Sequence, residues 1–297
     1  MTIKTFFCPL VLSILLSISL GANAECGDDS DCTDSGTPST MLGLFDKSKD
    51  LFLPQFDSKT DVDDIHSVAA VGTLLADPRF ADVNYHAVAG AYGIQEGEYV
   101  PATGLFNMVF AENWSDAHND YETALEAVTM LVIETLNNGG DIWIAEAGQS
   151  DFSADMVRQV QLKLPGIETN ERINIVQHSE WNQESTTPAD LDYVRHHTNY
   201  QKIEDGNATG NGTPGLKTDS DEEWLRAINN AATGTYWKKA RKIANKYNGV
   251  EGRYMNDAIK LGGMDFSDTS ETCWIFGFSD IFDVSRFFDE FDGGKAN

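Results

Sequence analysis

The chain has 297 residues and carries 47 acidic against 21 basic side chains, which gives a formal net charge of −26. So large a negative charge repels nucleic-acid phosphates and anionic membranes, and it argues against either as a partner. The length is sufficient for one large α/β domain with a substantial core.

The first 24 residues have the three parts of a secretory signal peptide. Lys4 supplies a positive start, residues 6–20 form an apolar run, and residues 22–24 read Ala-Asn-Ala, a small-x-small cleavage site. The run is short for a membrane span, which needs about 20 apolar residues. We therefore predict cleavage before about Glu25 and a periplasmic or secreted protein without a membrane anchor, the alternative being an uncleaved anchor.

Residues 25–48 are rich in Asp, Ser, Thr and Gly, and they are predicted to form an acidic, flexible lead-in. Cys26 and Cys32 bracket a short acidic loop and can form a disulfide in an oxidising compartment. Cys273 lies in an apolar stretch, which is typical of a buried small hydrophobic residue rather than a nucleophile.

Residues 49–284 alternate between predicted strands and helices, and residues 285–297 are predicted to form an acidic tail. The predicted strands cover residues 51–56, 83–88, 141–146, 173–177 and 200–203. The predicted helices cover residues 63–76, 115–137, 153–164, 188–197, 221–230, 236–247 and 254–261, with Ser115 as the N-cap of the second. This alternation predicts an α/β fold, a mostly parallel sheet with helices on both faces and a Rossmann-like core. In such sheets ligands bind beyond the carboxyl ends of the strands.

The segment directly after the first predicted strand is the most specific motif, because Asp57, Asp61, Asp63 and Asp64 fall within eight residues. Carboxylates this close repel one another, and each is costly to bury without a partner. A divalent cation relieves both costs, and hard oxygen ligands select calcium or magnesium over softer metals. Asp63 and Asp64 can also cap the following helix, which accounts for one or two of the four.

The pattern Asp-x-x-x-Asp-x-Asp-Asp resembles the metal-binding opening of the nucleoside hydrolases, the inosine-uridine nucleoside N-ribohydrolase superfamily, and especially a divergent exported branch. Residues 140–148, 173–178 and 263–269 resemble that family's central strand and loop, its next strand and its late metal-binding loop. Lys59 stands where the best-characterised members have an aspartate that serves as general base and metal ligand.

The resemblance implies a nucleoside hydrolase-like fold with a calcium site and a ribose site. The predicted metal ligands are Asp57, Asp61, Asp64, the end of the strand at Gln177, and Asp268, with Asp265 as the alternative to Asp268. The predicted catalytic residues are Asp61 as general base and His178 as acid for the leaving group. The predicted substrate-binding residues are Asp63, Glu146, Trp181 and Asn182. His178 can instead bond a backbone group, and Trp181 can instead pack within its loop.

The expected function is that of an exported, calcium-dependent hydrolase that cleaves the N-glycosidic bond of a nucleoside or related ribosyl compound. The alternatives are a hydrolase of another glycoside and a non-catalytic protein that binds calcium or sugar at the same site. The expected partner is a small nucleoside or glycoside substrate, and a homo-oligomer is left open. Lys59 discriminates between these readings, because an ammonium directed into the aspartates would replace a charge of the metal.

Overall fold

The computed structural model describes residues 39–291. The predicted signal peptide, most of the predicted lead-in and the predicted Cys26–Cys32 disulfide lie outside the described residues, as does the end of the predicted tail. Among residues 39–291, no helix combines the length and the apolar character needed to cross a membrane.

The described residues alternate between strands and helices, as predicted. The strands are β1 (Met41–Leu42), β2 (Phe45–Asp46), β3 (Leu51–Phe56), β4 (Asn84–Tyr85), β5 (Ala87–Ala89), β6 (Trp114–Asp116), β7 (Ile142–Glu146), β8 (Ile173–Gln177), β9 (Asn199–Lys202), β10 (Lys217–Thr218) and β11 (Met264–Asp265). The helices are α1 (Asp63–Leu75), α2 (Thr103–Phe110), α3 (Tyr121–Asn137), α4 (Asp151–Lys163), α5 (Thr169–Arg172), α6 (Glu180–Glu184), α7 (Pro188–His197), α8 (Trp224–Asn229), α9 (Gly234–Tyr247), α10 (Asp257–Lys260), α11 (Ser270–Ile275) and α12 (Val284–Glu290).

Seven of these strands form the central sheet of the described region. Their spatial order is β6-β5-β3-β7-β8-β9, with β4 pairing with the first half of β3, and every pair is parallel. Two short antiparallel pairs, β1 with β2 and β10 with β11, lie outside this sheet. The predicted α/β class with a parallel, Rossmann-like core is therefore confirmed.

Strand β3 lies inside the sheet, and all six of its residues are buried. Successive side chains of a strand point to opposite faces, so Leu51 and Leu53 pack with helices α3, α4 and α7, while Phe52 and Phe56 pack with α1, α2 and α9. Helices thus cover both faces, which explains why β3 is apolar along most of its length.

Pro54 lies in the interior of the sheet, where a missing N–H would ordinarily interrupt a ladder of hydrogen bonds. The neighbouring chain is itself interrupted there: β4 pairs with Leu51 and Phe52, and β5 pairs with Gln55 and Phe56. The single strand predicted for residues 83–88 is for this reason two short strands.

The helix predicted to begin after Ser115 begins later. Ser115 lies in β6, its hydroxyl bonds the ring of His86 at 2.8 Å, and the helix starts at Tyr121 with Asp120 as its N-cap. The Asp120 side chain accepts the backbone N–H of Thr123, which is the capping role that was assigned to Ser115.

The folded region extends beyond both predicted limits of the domain. The β1–β2 hairpin falls within the predicted lead-in, and its fully buried Phe45 packs on Phe276 with ring centroids 5.3 Å apart. Helix α12 falls largely within the predicted tail and buries Phe287 and Phe288 in the core. Buried aromatic side chains therefore hold both segments against the core, although the sequence assigned them to a flexible lead-in and an acidic tail.

Candidate functional site

The loop after β3 and the start of α1 bring the predicted aspartates together. Ser58 adopts a left-handed backbone conformation (φ 49°), and its N–H donates to Asp64 Oδ2 at 2.5 Å. The N–H of Lys59 donates to Asp57 Oδ1 at 2.8 Å, and that of Asp64 donates to Asp63 Oδ1 at 2.9 Å. The residue before α1, Val62, offers no side-chain cap, so helix capping does not explain the whole cluster.

A pocket of about 250 Å³ lies at this carboxyl edge of the sheet. Most of the predicted site residues line it, namely Asp57, Asp61, Asp63, His178, Trp181, Asn182 and Asp268. Asp64 is buried behind the surface, where it interacts with Asp57 and Asp63. Gly148 lets the chain after β7 approach this edge, because a Cβ there would lie 2.7 Å from the Asp57 Cβ.

The carboxylates of the pocket strongly disfavour one another's charge. Burial raises the pKa of Asp57 to about 7 and that of Asp61 to about 6. The charges of neighbouring aspartates add to both shifts, while hydrogen bonds to the two carboxyl groups oppose them. Burial and neighbouring carboxylates also raise the pKa values of Asp63, Asp64 and Asp268 well above the usual range. The cluster therefore holds more negative charge than its surroundings neutralise.

The chemistry of these donors fits a hard divalent cation. Asp64 Oδ1 is buried and has no hydrogen-bond partner among residues 39–291, and the neighbouring carboxylates of Asp57 and Asp63 act on its charge. Carboxylate oxygens in such number suit calcium better than softer metals. Within residues 39–291, no group of three or more His, Cys, Asp or Glu side chains is spaced so that it could hold a metal ion. The donor chemistry thus fits, whereas the spacing of the side chains does not enclose an ion.

Asp265 and Asp268 were the alternative ligands from the late loop, and their surroundings differ. Asp265 is fully buried, accepts hydrogen bonds from Asn256 at 2.8 Å and Ser267 at 2.9 Å, and pairs with Lys217 at 2.9 Å. Asp268 lines the pocket, and its side-chain contacts are longer, 3.4 Å to Ser67 and 3.7 Å to His178. Asp268 therefore has the freer oxygens of the two.

Lys59 does not neutralise the aspartates. Its Nζ lies 4.5 Å from the centroid of the Tyr92 ring, a cation–π contact, and no carboxylate of the described region lies within ion-pair distance. The Tyr92 hydroxyl bonds His118 at 3.0 Å, and His118 stacks on Tyr99. Lys59 itself lines the pocket with Asp57 and Asp61, and the Tyr92 ring holds its ammonium there without an ion pair to the aspartates.

His178 is held by a carboxylate and not by a backbone group, contrary to the simpler alternative. Its ring Nδ1 lies 2.7 Å from Glu271 Oε1, which also accepts the backbone N–H of His178 at 2.8 Å. Burial lowers the pKa of His178, but the charge and hydrogen bond of Glu271 outweigh burial and leave the pKa above its usual value. Sequence reasoning missed Glu271 altogether.

Two predicted site residues lie away from the pocket surface. Glu146 is fully buried and accepts a hydrogen bond from Ser150 Oγ at 2.6 Å, and burial raises its pKa to about 7. The backbone carbonyl of Gln177 accepts the N–H of Ile203 at 2.9 Å, where the chain continues past β9. Neither residue is among those that line the pocket.

Two aromatic rings line the mouth of the pocket. Trp181, on α6, is 41% exposed, and Tyr254 is 51% exposed. The sequence predicted Trp181 but placed Tyr254 in a helix, whereas α10 begins only at Asp257. Asp205, Asn207 and Lys217 also line the pocket.

These features define an α/β protein with a parallel sheet and a strongly acidic pocket at the carboxyl ends of its strands. No protein-family model, no curated protein and no solved structure matches the chain. Any function assigned to it therefore depends on the motif after β3 and on the chemistry of this pocket.

Proposed function

We propose that the protein is a calcium-dependent hydrolase that cleaves the N-glycosidic bond of a nucleoside or a related ribosyl compound. The observation that carries this proposal is a cluster of buried aspartates, whose pKa values are raised by burial and by one another's charge, in a pocket that is also lined by a histidine and two exposed aromatic rings. The resemblance of the segment 57–64 to the nucleoside hydrolases supports the same assignment.

The residues suited to hold calcium are Asp57, Asp61, Asp64 and Asp268. Bound calcium would supply positive charge that lowers the pKa of a water molecule and orients the sugar hydroxyls. Asp63 lines the pocket beside these residues, and its carboxylate is suited to accept hydrogen bonds from the ribose.

Asp61 is the candidate general base of this chain. It lines the pocket, its pKa is raised to about 6, and its Oδ2 has a long contact of 3.4 Å with Asn256. A carboxylate whose pKa lies nearer neutrality accepts a proton from water more readily than an ordinary aspartate does. Asp61 would then take the role that belongs, in the best-characterised nucleoside hydrolases, to an aspartate at the position of Lys59.

The opposite end of the scissile bond needs a proton and a surface for the leaving base. His178 lines the pocket and can donate a proton to a nitrogen of the base as the bond breaks. Trp181 and Tyr254 present exposed rings that can stack on a planar base. The aspartates stabilise the positive charge that develops on the ribose in an oxocarbenium-like transition state.

A panel of common nucleosides incubated with the purified protein, with calcium or with chelator, tests the proposal through the release of free base and ribose. We expect release that requires calcium from at least one nucleoside. A protein that binds calcium but releases no base would refute the nucleoside assignment, and a parallel panel of other glycosides would then separate a different glycosidase from a binding protein.

A further inference from the structure

We infer that Glu271 is a positioning residue that fixes the ring of His178 with its Nε2 atom toward the pocket. The inference rests on the proposed N-glycosidase function, since it identifies the group that holds the acid for the leaving base. It assigns Glu271 no contact with substrate.

The hydrogen bonds of Glu271 determine which atoms are donors. The carboxylate is fully buried, and its Oε1 atom receives both the backbone N–H and the ring Nδ1 of His178, at 2.8 and 2.7 Å. A backbone amide can only donate, so Oε1 acts as an acceptor. The ring Nδ1 must therefore carry the hydrogen of the second bond.

This arrangement leaves the other ring nitrogen for the pocket. His178 Nε2 lies 3.7 Å from Asp268 Oδ1, which is beyond hydrogen-bond distance. His178 lines the pocket, so Nε2 is the ring atom available to a leaving group. The acid for the leaving base is the imidazolium form, in which both ring nitrogens carry hydrogen: Glu271 accepts the hydrogen on Nδ1, and Nε2 gives up its own. Without Glu271 the ring could turn, and the Nε2 hydrogen would lose its direction.

The link is rigid because two elements of the fold meet at one oxygen atom. His178 directly follows β8, and Glu271 lies in α11. The backbone bond fixes Oε1 independently of the imidazole, so the ring docks on an acceptor that is already in place. Glu271 Oε2 has no partner among residues 39–291, which indicates that the contacts of Glu271 are concentrated on His178.

Two substrates with different leaving groups distinguish this role from general structural support. A nucleoside such as inosine needs its base protonated, whereas p-nitrophenyl β-D-riboside departs as a stable phenolate. We expect Glu271→Ala to lower kcat for inosine by about 10²-fold, the usual scale of general acid catalysis. The same variant should change kcat for the nitrophenyl riboside by less than about threefold.

A conservative variant and a neighbouring control complete the set. Glu271→Gln should keep kcat for inosine within about tenfold of the wild type, because one amide oxygen can accept both bonds that Oε1 accepts. Thr272→Val should leave both reactions unchanged, since Thr272 is the next residue, is buried, and its hydroxyl has no partner among the described residues. Equal losses on both substrates in Glu271→Ala, no loss on inosine, or a loss in Glu271→Gln as large as in Glu271→Ala would each overturn the inference.

Nuclear magnetic resonance of ¹⁵N-histidine-labelled protein tests the same contact without any turnover. We expect a hydrogen-bonded Nδ1 proton on His178 in the wild type and in Glu271→Gln, and its loss in Glu271→Ala. A wild-type His178 without a proton on Nδ1 would overturn the inference. If the wild type cleaves neither the nitrophenyl riboside nor any nucleoside of the panel, the proposed function fails, while the resonance still decides the role of Glu271.

Discussion

A buried aspartate lies near each end of strand β3, and the hydrogen bonding of the two differs. Asp50 directly precedes the strand, whereas Asp64 lies in α1, which follows it. Asp50, at the amino end, is 3% exposed and accepts hydrogen bonds from the N–H groups of Asp46 and Asp141, both at 2.9 Å, and from Trp143 Nε1 at 3.2 Å. Asp64, beyond the carboxyl end, is 1% exposed and accepts one backbone N–H, while its Oδ1 has no partner within residues 39–291.

The neighbours of the two aspartates explain the difference. Asp50 is surrounded by neutral donors that replace the water it has lost, so its burial joins β2, β3 and β7. Burial raises the pKa of Asp64, and two further carboxylates, Asp57 and Asp63, raise it more. A buried carboxylate with satisfied oxygens supports the fold, whereas one placed among like charges is suited to bind a cation.

The largest effect should come from the carboxyl end of β3. We expect Asp64→Asn to lower calcium-dependent kcat/KM by about 10³-fold, equivalent to about 4 kcal/mol of transition-state stabilisation, because it removes a ligand charge. Steady-state kinetics of base release measures this. Asp50→Asn is the matched control. A comparable loss of kcat/KM per folded molecule in that variant would contradict the different roles assigned to Asp50 and Asp64.

The free energy of unfolding should depend on the aspartate at the amino end of β3 and not on the one beyond the carboxyl end. Asp50→Ala should lower the free energy of unfolding by about 3 kcal/mol, because it leaves buried N–H donors without an acceptor. In chelator, Asp64→Asn should not lower it, because the new amide can donate to the neighbouring carboxylates. Urea unfolding of the chelated proteins measures both values, and a larger loss in the Asp64 variant would contradict the comparison.

The stability of the chelated protein should depend on pH, because the pKa values of the aspartates that follow β3 are raised. The aspartates ionise near 3.8 when unfolded, while folded Asp57 and Asp61 keep their protons up to about pH 7 and about pH 6. The folded state therefore binds more protons between about pH 4 and pH 7, so its stability should fall as the pH rises through that window.

Thermal unfolding in chelator across this pH range measures the slope. Calcium should restore stability at pH 7 and above, because the ionised carboxylates then bind it. Asp57→Asn should make the slope shallower. A chelated protein whose stability rises steadily from pH 4 to pH 7 would refute the assignment of these groups.

The smallest effect, on the affinity for calcium, should come from replacing Lys59. Its ammonium rests on Tyr92 and has no ion pair in the described part of the chain, so Lys59→Met should change the calcium dissociation constant by less than about threefold. Isothermal titration calorimetry measures the constant. A tenfold or greater tightening would mean that Lys59 neutralises the aspartates in solution.

Local patterns predicted the elements that depend on local chemistry. The apolar run Leu51–Phe56 and the aspartates that begin α1 gave both elements at their observed starts. Ser115 was misassigned because the pairing of β6 with β5, a non-local contact, overrides its capping tendency. Strand pairing of this kind has no signature within a short window of sequence.

Many residues of the site were predictable, including His178 and Asp268 from distant segments, but the contacts between those segments were not. Asp57 to Asp64 form one motif, whereas the bond from His178 to Glu271 joins residues 93 positions apart. The carbonyl of Gln177 likewise accepts the N–H of Ile203, a contact between separate segments that the sequence did not predict. Only the fold brings such contacts together, so they lie beyond sequence reasoning.

The central claim is that one carboxylate cluster binds calcium and that this calcium is needed to cleave a ribosyl bond. Titrating the chelated protein with calcium, while following bound calcium and ribose release in the same samples, tests it most directly. We predict that both rise together with one midpoint and that both are lost in Asp64→Asn. Ribose release that does not depend on calcium, or calcium binding at this cluster without release from any ribosyl substrate, would contradict the claim.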